Sequence, residues 1–166
     1  MRLVFDIEAD GFYHEATQIW CIVAKDIDTG RVYEFDDMQS NRRKSFGVQL
    51  LEEADELIGH NIIDYDLRLI KKLYPKFCPS GKILDTMILS QLLYPERKGG
   101  HSLEAFGEKY GILKPVHEDW SRYTPEMLHR CKEDVKINIR VYEELISEAY
   151  EDIQGYDYKE IFTGSV

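Results

Sequence analysis

Residues 1–10 read MRLVFDIEAD. Leu3, Val4 and Phe5 form an apolar run suited to a buried strand, and the run passes directly into Asp6, Glu8 and Asp10. Side chains two apart on a strand share a face, so Asp6 and Glu8 stand side by side, with Asp10 next in the row. Neighbouring carboxylates repel, and partial burial raises the cost. Three arrangements account for such a pair. It can be the solvated end of a strand, or a carboxylate pair doing acid–base work, as in glycosidases. It can also be part of a hard-metal site, since Mg²⁺ takes oxygen ligands and is held by carboxylates together with substrate phosphates. The metal arrangement requires more acids, delivered by other elements.

Working outward, Thr17–Ile27 (TQIWCIVAKDI) reads as a second strand and Arg31–Phe35 (RVYEF) as a third, joined by a hairpin turn at Asp28-Thr29-Gly30. With the first strand they make a meander. SFGVQLLEEA predicts a short helix, and DELIGHN a buried strand ending at His60-Asn61. In Tyr65–Tyr74 (YDLRLIKKLY), Leu67, Ile70 and Tyr74 share a helical face, and Pro75 stops the helix. KILDT reads as a short strand running into a helix capped by Asp85, and Pro95 ends that helix. Ser102 and Gly111 bracket another helix. Thr124-Pro125 opens the longest helical pattern, with Thr at the N-cap and Pro at the first helical position, and the pattern runs to Ile153. A three-strand meander followed by alternating helices and strands predicts an α/β fold with a mixed central sheet flanked by helices. No linker or repeat interrupts residues 1–166, so a single domain is expected.

A hydrophobic content of 43% describes a globular chain, and no apolar run reaches membrane-spanning length. No signal-peptide pattern precedes the first strand, and Cys21, Cys78 and Cys131 lack metal-ligand spacing. A soluble, cytoplasmic protein with no membrane partner is expected. The net charge of −10 alone argues against nucleic acid. However, an acid-built site adds negative charge that cations offset, and basic residues cluster at Arg42-Arg43-Lys44, at Arg68, Lys71, Lys72 and Lys76, and at Arg97-Lys98. Composition therefore permits nucleic acid without supporting it.

Two places supply further acids. GHNIIDYDLRL brings Asp64 and Asp66 to the junction of a buried strand and a helix, and RCKEDVKINI sets Asp134 beside Val135, Ile137 and Ile139 on the long helix. Together these segments resemble the DEDD superfamily of 3′→5′ exonucleases, which have a ribonuclease H-like fold. More closely, they resemble the proofreading exonuclease domain of phage-type family A DNA polymerases. FDIEADGF matches the first motif, HNIIDYDLRLI the second, and EDWSRYTPEMLHRCKEDVKIN the third, with ILDTMILSQLL and HSLEAFGEKYGILK as connecting landmarks. The likeness spans nearly the whole chain.

The resemblance implies a metal-dependent 3′→5′ exonuclease that releases nucleoside 5′-monophosphates from single-stranded DNA ends. It implies two divalent ions, Mg²⁺ or Mn²⁺, held by Asp6, Glu8, Asp66 and Asp134, and a DNA polymerase domain or subunit as partner. If the chain is phage-encoded, it would work in the host-cell cytoplasm. Asp66, after the aromatic Tyr65, is preferred to Asp64. RNA is an alternative substrate, giving an exoribonuclease of the same superfamily. A module that merely binds nucleic acid or a partner is a third reading, which four clustered carboxylates disfavour.

The superfamily divides by what precedes the last acid: a Tyr four residues before it, or a His five before. Here those positions hold Arg130 and His129, so the spacing selects His129 as general base, a role its ordinary pKa of about 6.5 suits. In an unbroken helix, residues five apart lie roughly 140° apart around the axis. His129 then faces away from Asp134, and Arg130 faces the site to contact phosphate. Only a break or bend near Cys131 would bring His129 in. Asn61 is a candidate substrate-positioning residue, and Phe12 a candidate for stacking on a base. Asp85 is read as a helix cap, Asp10 as a turn residue beyond the metals, Trp20 as core, and His101 and His117 as loop residues.

Overall fold

The computed structural model describes residues 1–38 and 44–155. Arg42 and Arg43 of the first basic cluster lie outside the described residues, as does the stretch 156–166. Five strands form one sheet: β1 (Arg2–Ala9), β2 (Ile19–Asp26), β3 (Val32–Phe35), β4 (Glu56–Gly59) and β5 (Lys82–Asp85), in the order β3-β2-β1-β4-β5. The β1–β2 and β2–β3 pairs are antiparallel, while β1–β4 and β4–β5 are parallel. The helices are α1 (Lys44–Glu52), α2 (Asp66–Leu73), α3 (Thr86–Leu93), α4 (Leu103–Tyr110) and α5 (Pro125–Gly155). The expected meander and the mixed sheet are both present, with β2 and β3 shorter than their sequence patterns by one to three residues at their ends.

The central strand explains the site. Leu3, Val4 and Phe5 are all fully buried because both faces of β1 are covered, which is why the sequence shows a continuous apolar run and no alternation. Leu3, Phe5, Ile7 and Ala9 pack with Leu51 of α1 and Leu69 and Ile70 of α2. Val4 points the other way, into a cluster with Cys21, Val23 and Ile58 and with Cys131 and Val135 of α5. Asp6 and Glu8 share the parity of Val4. The strand therefore aims its acids at the helix that carries Asp134.

Two local devices fix the chain beyond β4. A Cβ at Gly59 would lie 2.1 Å from Ile62 Cγ2, so only glycine lets the turn fold back this tightly. Asn61 takes φ +62°, a left-handed conformation that asparagine tolerates better than most residues. The Asp85 carboxylate then ties this turn to the next helix. It accepts from the backbone N–H groups of Asn61 (2.9 Å) and Ile63 (3.0 Å), and as the α3 N-cap from Met87 (3.0 Å) and Ile88 (3.4 Å). Asp85→Ala leaves these donors without their acceptor and should cost about 3 kcal/mol of stability in denaturant melts. The Ser102 and Gly111 caps of α4 are present as the sequence predicts, Ser102 accepting from the Ala105 N–H and Gly111 at φ +71°.

Candidate active site

The sheet delivers Asp6 and Glu8 from the C-terminal half of β1. The parallel neighbour β4 ends beside them and continues through His60 and Asn61 toward Asp66, the first residue of α2. Asp134 descends from α5. Carboxylate oxygens of Asp6, Glu8 and Asp134 all lie within 4.8 Å of one another. Asp66 shares the cavity, which holds about 310 Å³ and is also lined by His60, Asn61, Tyr65, Ser102, Lys114 and Arg130. Four acids read from three separate stretches of sequence thus meet in one cleft. A larger cleft of about 1060 Å³ lies between the α3–α4 loop and α4. Arg97, the most buried cation lining it, is engaged by Glu148 through both Nη atoms, at 2.9 and 2.6 Å.

Burial dominates the electrostatics. Asp6 is held well above the usual carboxylate range, first by burial and then by the charges of Asp134, Glu8 and Asp66. Burial and the Asp134 charge push Glu8 up to about 7, against the pull of Arg130 and Lys114. Asp66 rises to about 8, mainly through burial, although N–H groups of its own backbone and of Ile7 draw it down. Asp134 is raised by burial, with Lys114 opposing. These shifts describe carboxylates taken out of water, with the mutual repulsion of Asp6, Glu8, Asp66 and Asp134 adding to the cost. Such an all-oxygen donor set fits hard divalent cations. The Asp134 Oδ1 atom is buried without a well-formed hydrogen bond, and its partner is the Lys114 ammonium at 2.8 Å.

The long helix decides between the two residues before Asp134. α5 runs unbroken from Pro125 to Gly155, and His129 is on its exposed side, outside the residues lining the cavity. His129 therefore stands apart from the acids, and α5 continues as one helix through Cys131. That residue is buried, and its Sγ donates to the Asp6 carbonyl at 3.3 Å, pressing the helix onto β1. Arg130, one turn before Asp134, faces inward as the helical repeat requires. Its Nε lies 3.6 Å from Glu8 Oε1, and its Nη1 donates to the Pro115 carbonyl at 2.8 Å.

The remaining candidates fall as follows. Asn61 lines the cavity. Phe12 is 81% exposed in the loop after β1 and does not line it. That loop is tied to the cavity wall by Tyr65, whose Oη donates to the Gly11 carbonyl at 2.7 Å. Asp64 is exposed and pairs with Arg68, which leaves Asp66 as the inward acid. Asp10 is committed to its turn, accepting from Thr17 and Gln18. Trp20 is buried in the core. His60 has both ring nitrogens engaged, with Thr86 Oγ1 at 2.8 Å and the His101 carbonyl at 2.6 Å. Sequence reasoning missed Lys114, which lies in a stretch with no periodic pattern.

This geometry is that of a nuclease-type, carboxylate-lined cleft on an α/β sheet. The family model described as RNase_H superfamily matches residues 3–114, so the chain belongs to the RNase H superfamily. Its acid-bearing segments are the ones whose sequences resemble the DEDD 3′→5′ exonucleases. The DNA-directed DNA polymerases of Enterobacteria phage T3 and Escherichia phage T7 are each 23% identical over 89% of this chain. The chain spans about a quarter of their length, 27%. Among solved structures, NrnC of Brucella melitensis bound to pGG superposes with TM-score 0.70 at 16% identity, covering 91% of this chain and 74% of that one. NrnC with bound Mg²⁺ gives 0.69 at 17%, with the same coverage. RNase D of Escherichia coli, an exoribonuclease involved in structured RNA processing, gives 0.64 at 15%, over 90% of this chain and 40% of that one. These structural likenesses establish the fold.

Proposed function

We propose that residues 1–166 form a single metal-dependent exonuclease domain that hydrolyses the last phosphodiester of a single-stranded DNA 3′ end and releases a nucleoside 5′-monophosphate. The observation that carries this reading is the meeting of Asp6, Glu8 and Asp134 within 4.8 Å, with Asp66 in the same cavity. Asp6, Glu8 and Asp134 would hold one divalent ion and Asp6 and Asp66 a second, Mg²⁺ or Mn²⁺. When bound, such ions lower the pKa of a water and stabilise charge on the leaving 3′ oxygen.

The chain's own groups do the rest. The carboxylates and the covered sheet shape a small polar cavity that admits a terminal nucleotide. Arg130, at the inner side of α5, is placed to meet a phosphate oxygen with its planar fork of N–H donors. Asn61, on its fixed turn, orients the terminal residue. Phe12, exposed on the tied loop, offers a ring for stacking an upstream base. No imidazole with a free nitrogen lines the cavity among the described residues, so no His base is assigned.

The alignment with phage DNA polymerases supports a proofreading role beside a polymerase domain or subunit. Among the described residues no helix is long and apolar enough to cross a membrane.

The test is a 5′-labelled single-stranded DNA oligonucleotide with Mn²⁺. A ladder shortening from the 3′ end is expected, and it should vanish in Asp134→Ala. His129→Ala should stay within about twofold of the parent rate. Arg130→Ala should fall about tenfold to a hundredfold, the worth of one charge-assisted contact. A His129→Ala variant as dead as Asp134→Ala would overturn the assignment made here. Faster shortening of an otherwise identical RNA strand would move the substrate to RNA.

A further inference from the structure

One cation in the cleft comes from a segment without regular backbone structure. Residues 112–124 cross from α4 to α5 without helix or strand. Leu113 and Val116 are 81% and 85% exposed, while Ile112 and Tyr123 at the two ends pack against the core, so the part of the strap around Lys114 gains little from its own apolar side chains. Its attachments near the cleft are polar: Lys114 to Asp134, the Pro115 carbonyl to Arg130, and the Trp120 carbonyl to Trp20 Nε1 at 3.0 Å. Lys114 is the strap residue that reaches the acids.

We propose that Lys114 is a resident counter-ion of the acid cluster, and that its ammonium and a divalent metal ion are mutually exclusive occupants, so that metal loading releases the strap. The inference rests on the metal-site reading above. The Lys114 ammonium, 2.8 Å from Asp134 Oδ1, occupies an oxygen of the acid that stands with Glu8 and Asp6 in a group whose carboxylate oxygens lie within 4.8 Å of one another, so it competes with a hard cation for that acid. Arg130 also neutralises the cluster, but it projects from a rigid helix and is tied to a backbone carbonyl. Lysine is a point charge on a flexible stem, and can withdraw. Loss of its ion pair with Asp134 removes the strap's contact with the acids, so the strap loosens as the metal enters.

Titration of Mn²⁺ into the whole metal-free chain, followed by calorimetry, tests this. If the lysine-occupied form outweighs the open form by about ten to one, Lys114→Met should bind Mn²⁺ about tenfold more tightly than the parent, and Lys114→Arg should stay near the parent value. In the parent chain, Mn²⁺ should also speed hydrogen exchange of the amides in 112–124, a readout that needs no variant. Equal affinity in the parent and Lys114→Met, with binding lost in Asp6→Asn, would overturn the counter-ion role and leave the metal site standing. Protection of the strap amides by Mn²⁺ would also overturn it. Absence of Mn²⁺ binding in both the parent and Lys114→Met would remove the metal site and this inference together.

Discussion

Asp6→Asn stops hydrolysis and, with EDTA at pH 8, melts higher than the parent chain. Both halves follow from the same crowding. Asp6 is the acid most surrounded by others, with Asp134, Glu8 and Asp66 all raising its pKa after burial has done so. Removing its charge takes away ligands for both proposed ions, and metal ions contribute several kcal/mol to the stabilisation of developing charge. At about 1.36 kcal/mol per tenfold, the loss is about a thousandfold or more. Asparagine keeps the shape and relieves the repulsion, so the metal-free fold gains stability where the parent suffers most. Paired single-turnover assays and thermal melts check both halves. A variant that loses activity and also melts lower in EDTA would mean that the cluster is not strained.

The second large effect is a pH-dependent response to Mg²⁺: a substantial rise in melting temperature at pH 8 and little at pH 5. The sign follows from the proton count. Asp6, Glu8, Asp66 and Asp134 all titrate above their unfolded values, Glu8 near 7 and Asp66 near 8. Between about pH 4 and pH 8 the folded chain therefore binds more protons than the unfolded chain, and metal-free stability falls as pH rises through that window. Glu8 alone, moved from its ordinary 4.5 to about 7, contributes a loss on the order of 3 kcal/mol by pH 8. Ions that bind the ionised cluster in the folded state restore what deprotonation removed. At pH 5 protons already occupy the cluster, and there is little for Mg²⁺ to restore. Melting curves at the two pH values, each with EDTA and with millimolar Mg²⁺, give four numbers. Equal shifts at both would rule out a cluster of this kind.

Much of this is legible in the sequence alone. Alternate residues on one strand put Asp6 and Glu8 together, and the helical repeat placed Arg130 on the side of Asp134. The spacing before Asp134 selects His129 as base while the helical repeat favours Arg130 on the inner face, and in α5 it is Arg130 that lines the cleft. What the sequence could not reveal were contacts made across the fold. That Asp85 caps α3 could be read locally, but not that it also holds the turn bearing Asn61 and Ile63. Lys114 lies in GILKPVHEDW, where no periodicity announces a partner. Its meeting with Asp134 exists only because a segment without regular structure spans the mouth of the cleft.

The chain has two tryptophans, and they touch at one place. Trp20, rooted in β2, donates its indole N–H to the carbonyl of Trp120. The Trp120 ring lies under the Arg130 guanidinium at 5.7 Å and edge-on to His117 at 4.7 Å. One indole thus reports from the rigid core and the other from the mouth of the cleft, with no tyrosine-free engineering or dye required. Selective excitation of indole would follow, in real time and in the native chain, how the entrance responds as a nucleotide end comes and goes.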